Sequence, residues 1–102
     1  MTDVVSAPLR GLVEARRGDI RAIVARHGGR WVAIFGSVAR GDECPLSDID
    51  FLVEFEPGVR PIELLALGAE LEEVLGVKVD VATAGSLRPR LRDEVLAEAV
   101  VL

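Results

Sequence analysis

An α/β fold is what this sequence predicts, and three observations predict it. Stretches with helical spacing alternate with short β-branched runs, Gly and Pro punctuate the junctions, and half of the 102 residues are hydrophobic, enough for a real core. One domain spanning residues 1–102 is expected, because nothing in the composition suggests a join and typical domains run to about 100 to 150 residues.

Residues 7–17 and 19–27 read as two helices, with Leu9, Leu12, Val13, Ile20, Ile23 and Val24 at near-helical spacing. Gly18 suggests a break between them, and Asp19 suits the N-cap of the second. Gly28-Gly29 ends that helix. The run RWVAIF, Arg30 to Phe35, then has the β-branched and aromatic character of a buried strand, stopping at Gly36. Val38 to Arg40 fits a short helical turn, and Gly41 to Ser47 (GDECPLS) a loop.

From Asp48 the chain alternates, with Ile49, Phe51, Val53 and Phe55 on one face and Asp48, Asp50 and Glu54 on the other; Leu52 interrupts the pattern. Pro57-Gly58 marks a turn. A helix over about 61–75 has Pro61 in its first turn and Gly76 at its end, with Ile62, Leu65, Leu71, Val74 and Leu75 as expected core positions. Residues 77–83 (VKVDVAT) alternate again, Val77, Val79 and Val81 inward and Asp80 on the polar side. A last helix over about 87–99 carries Pro89 in its first turn.

Composition excludes several functions. A net charge of −5 argues against direct nucleic-acid binding, which relies on many Lys and Arg neutralising phosphates. The single cysteine, Cys44, rules out an internal disulfide, and with one histidine, His27, a zinc site is not expected. No apolar run reaches the roughly 18 residues of a membrane span, and MTDVVSAPLRG lacks the regions of a signal peptide. A cytoplasmic protein without membrane contact is the expectation.

Three aspartates carry the chemical signal. Asp48 and Asp50, two apart on the expected strand, project from the same face, where like charges repel unless a cation offsets them. Asp80 comes from a second strand and can join them if the two strands pair. Three such carboxylates suit Mg²⁺ or Mn²⁺, hard ions that fill their shell with water and phosphate oxygen. Gly36-Ser37, at a strand end, lets backbone approach a phosphate closely while the hydroxyl and N–H groups donate to it, and Arg40 is the neighbouring cation. Singly these are ordinary turn and surface residues. Jointly, Gly-Ser, ten residues and Asp-x-Asp arise by chance on the order of 10⁻⁵ per starting position at average residue usage.

The run FGSVARGDECPLSDIDFLVEF, Phe35 to Phe55, resembles the signature of the minimal nucleotidyltransferases (MNT) of the DNA polymerase β-like superfamily, including the MntA-like antitoxins of HEPN/MNT toxin-antitoxin systems. Gly36, Ser37, Arg40, Gly41, Asp42, Ser47, Asp48 and Asp50 fall where that pattern places them, and VKVDVAT puts Asp80 at the third carboxylate. The resemblance implies the nucleotidyltransferase (polymerase β-like) fold, a small mixed β-sheet flanked by helices. It also implies two Mg²⁺ ions (or Mn²⁺) on Asp48, Asp50 and Asp80, ATP bound through Gly36, Ser37 and Arg40, and AMP transfer to a hydroxyl. Members commonly act as antitoxins, modifying a tyrosine of a HEPN-domain toxin. The chain contains no tyrosine, so a tyrosyl acceptor has to lie on another protein. Two other readings stay open: an antitoxin that neutralises its partner by contact alone, and a nucleotidyltransferase subunit acting on a small molecule.

Overall fold

The structure, a computed structural model, describes residues 8–43 and 47–102. Ala7, the expected start of the first helix, and Cys44, within the expected loop, lie outside the described residues. The order is α1 (Pro8–Ala15), α2 (Arg17–Arg26), β1 (Gly29–Phe35), α3 (Gly36–Arg40), β2 (Ile49–Phe55), α4 (Ile62–Leu75), β3 (Val79–Ala82), a 3₁₀ turn (Ala84–Ser86), α5 (Pro89–Glu98) and β4 (Val100–Val101).

The strands form one mixed sheet in the order β3-β2-β1-β4. β1 pairs antiparallel with both β2 and β4, whereas β2 and β3 run parallel. A parallel pair needs a crossover of a dozen or more residues, and α4 supplies it. The mixed α/β architecture expected from the sequence is therefore present.

Two cores divide the sheet's faces. On one, Val32, Ile34, Ile49, Phe51 and Val53 pack with Val13 of α1, Ile20, Ile23 and Val24 of α2, Val38 of α3 and Leu67, Leu71 and Leu75 of α4. On the other, Ala33 and Leu52 meet Val95 of α5, with Trp31, Phe35, Ala82 and Leu87 beside them. Leu52 is thus no interruption of the strand pattern: α5 covers part of the second face, so an apolar residue is needed there too.

Three expectations shift. The break between α1 and α2 falls at Arg16, which occupies the N-cap. Asp19 sits within the first turn, bonded to the Arg16 side chain at 2.9 Å, so its carboxylate engages that guanidinium rather than capping N–H groups. In α4 the buried stripe is Leu67, Leu71 and Leu75, while Ile62 and Leu65 are 51% and 71% exposed. A helix this apolar on every side leaves its inward stripe undecided until α2 and β3 are placed. One contact had no counterpart in the sequence reading: the first N–H groups of α1 are satisfied by Glu43, whose two oxygens accept from Leu9 N (2.9 Å) and Arg10 N (3.0 Å).

Candidate active site

Register brings the acids together. Across the parallel pair Asp50 stands directly opposite Asp80, and across the antiparallel pair it stands opposite Phe35. Asp50 therefore lies on the sheet face that α5 only partly covers, with a carboxylate neighbour on one side and an aromatic ring on the other. Asp48 does not share the strand as expected. β2 begins at Ile49, whose N–H donates to the Lys78 carbonyl at 3.1 Å, and Asp48 is the exposed residue just before it.

The chain turns over the acids at Gly36. With φ of +74°, in the left-handed region, Gly36 begins α3 directly after β1. A β-carbon there would stand against Asp50 Oδ2 and 3.2 Å from its Cγ. Only glycine lets this backbone lie on the carboxylate. The next residue, Ser37, donates from Oγ to Ser47 Oγ at 3.3 Å, tying the turn to the segment that leads into Asp48. Val38, fully buried, anchors α3 in the core.

Arg40 ends α3 and is half-exposed. Its Nε donates to Asp42 at 3.1 Å and its Nη1 to Glu98 at 2.9 Å. Sequence reading placed Arg40 beside the acids but missed Glu98, because nothing in a helix 58 residues downstream marks a partner for α3.

Electrostatics match the geometry. Burial, then the charges of Asp80 and Asp48, push the Asp50 carboxyl up to about 6; Arg40 opposes the rise and Glu98 adds to it. A carboxyl whose proton affinity is raised by neighbouring carboxylates is a cation's natural partner, and an all-oxygen set suits a hard divalent ion. Among the described residues no three His, Cys, Asp or Glu side chains already converge into a cage. The acids instead form an open edge, which suits an ion that takes much of its shell from water and substrate phosphate. A groove of about 590 Å³ between α2 and the β1–β4 edge, lined by Ala25, Trp31 and Leu102 among others, includes none of these residues.

Against known proteins, the Nucleotidyltransferase domain family matches residues 19–102. The chain belongs to that family. An inferred protein adenylyltransferase of Methanocaldococcus jannaschii is 50% identical over 78 residues, 76% of this chain and 84% of that protein. The protein adenylyltransferase MntA of Thermococcus cleftensis is 33% identical over 90% of both chains. A solved structure assigned, also by inference, as a minimal nucleotidyltransferase superposes with a TM-score of 0.83 at 44% identity, covering 91% of this chain and 95% of that one. The same fold recurs, at 19% identity and a TM-score of 0.67, in a complex of a tri-AMPylated Shewanella oneidensis HEPN toxin with an MNT antitoxin, covering 86% of this chain and 69% of that one. This chain is accordingly a nucleotidyltransferase enzyme with the minimal nucleotidyltransferase fold.

Proposed function

We propose that this nucleotidyltransferase is a cytoplasmic antitoxin that uses Mg²⁺ to transfer AMP from ATP to a hydroxyl group, a tyrosine's, on a HEPN-type toxin. The observation that carries the reading is Asp50, opposite Asp80 in register and pressed against the Gly36 backbone. Its relatives named protein adenylyltransferases support AMP as the group moved, and the absence of tyrosine from this chain supports an acceptor on a second protein.

Asp48 and Asp50, with Asp80 assisting, would hold one or two Mg²⁺ ions, or Mn²⁺. Such an ion supplies positive charge that offsets the triphosphate. Asp80 takes the acceptor's hydroxyl proton as the hydroxyl oxygen bonds to the α-phosphorus. The bond from that phosphorus to the pyrophosphate oxygen breaks, and Ser37 Oγ and Arg40 donate to the departing phosphates.

The test is to incubate the protein with Mg²⁺, α-labelled ATP and the product of the adjacent reading frame, alongside the Asp48→Asn, Asp50→Asn double variant. Label should move to the partner with wild type and not with the variant. If no label moves and the variant neutralises the partner as well as wild type, the protein acts by contact and the catalytic reading fails.

A further inference from the structure

Glu98 ends α5, on the far side of the sequence from the motif that carries the chemistry, yet its carboxylate reaches the mouth of the site. Oε2 accepts from Arg40 Nη1 at 2.9 Å and Oε1 from the same nitrogen at 3.4 Å. Asp42 accepts from Nε at 3.1 Å on the other flank. Two of the three guanidinium nitrogens are thus engaged, and among the described residues the third, Nη2, makes no hydrogen bond. The Glu98 side chain is 27% exposed against 49% for Arg40, so the covered partner holds the open one.

A carboxylate this close to a triphosphate site is costly, because it repels the ligand it sits beside. What it provides is order. An unrestrained arginine loses rotamer freedom when it grips a ligand, whereas one already held by two acceptors has lost most of it and presents its remaining edge in a fixed direction.

We propose that Glu98 is a positioning residue for the nucleotide: it fixes the Arg40 guanidinium so that Nη2 faces the triphosphate oxygens. This rests on the reading of Arg40 as a phosphate donor given above. The favourable effect of Glu98 runs through Arg40, so without Arg40 only its repulsion of the ligand remains and its removal costs no affinity.

The experiment is a double-mutant cycle on binding of Mg²⁺–AMP-PNP, read by calorimetry, with thermal unfolding of each variant as the control. Glu98→Ala should weaken binding about tenfold with Arg40 present and not at all in an Arg40→Ala background. Glu98→Gln, which keeps an acceptor oxygen and the same length, should restore most of the loss. Equal weakening in both backgrounds, or unchanged binding on Glu98→Ala, overturns the proposal. If wild type binds no nucleotide, the proposed function fails instead. The Arg40 Nη1–H resonances then decide the positioning claim: slow exchange lost on Glu98→Ala supports it, and unchanged resonances refute it.

Discussion

The Gly36 α-carbon rests against the Asp50 carboxylate so closely that a methyl group added to it would meet Oδ2. Gly36→Ala has to move Asp50 or the turn, and it also strains a φ of +74°. We expect it to abolish nucleotide binding and to cost about 1 to 3 kcal/mol of stability. Gly41→Ala is the matched control: φ is +81°, but nothing lies within 4 Å of an added β-carbon. It should cost about 1 kcal/mol and leave AMP-PNP binding within twofold of wild type, checked by calorimetry and urea unfolding.

Asp50 gives the metal-free protein a pH dependence of known sign. Its folded carboxyl titrates near 6, above the ordinary 3.8, so between those values the folded state binds the proton more readily than the unfolded chain does. Stability therefore falls as pH rises from about 4 to 6 and stays lower above that. Asp50→Asn should recover about 1 kcal/mol at pH 8, a figure reduced for solvent screening because the residue is only partly buried. Urea unfolding in chelator at pH 4.5 and 8 checks it, and added Mg²⁺ with ATP should narrow the difference.

His27 acts in a separate window. At the end of α2 its Nδ1 faces Glu63 at 2.9 Å and its Nε2 faces Glu70 at 2.8 Å, both on α4. Two carboxylate acceptors need two N–H donors, which only the imidazolium has. Hydrogen bonding to Glu70, then to Glu63, accordingly holds the His27 pKa above 6.5. Its contribution is complete below 6.5 and is lost as pH rises through the higher folded value. His27→Gln should flatten the fall in stability above pH 6.5 and cost about 1 kcal/mol at pH 6, while leaving the Asp50 dependence below 6 in place.

The α4 stripe separates buried from exposed leucines. Leu67→Ala, at a fully buried position, should cost about 2 to 4 kcal/mol. Leu65→Ala, at a position 71% exposed, should stay within about 0.5 kcal/mol of wild type in chemical denaturation.

What the sequence revealed and what it hid follow from the range of the interactions involved. The β1 run, the Gly36-Ser37 turn and the alternation around Asp50 and Asp80 are local patterns, and each is found where expected. The parallel register that sets Asp50 against Asp80 was a possibility in the sequence and became definite only with α4 spanning the crossover. β4 escaped notice because two residues have no period. Ile62 and Leu65 were misplaced because every face of α4 offers apolar residues. Glu43 under α1 and Glu98 beside Arg40 act across 33 and 58 residues, and a lone glutamate does not announce its partner.

The central claim, that Asp50 and Asp80 share a divalent ion with the triphosphate, is tested most directly by Mn²⁺ uptake in the presence of AMP-PNP, followed by electron paramagnetic resonance. Wild type should bind the ion, and Asp50→Asn and Asp80→Asn should each lose at least tenfold in affinity while remaining folded. Retention of wild-type Mn²⁺ affinity by both single variants would contradict the account.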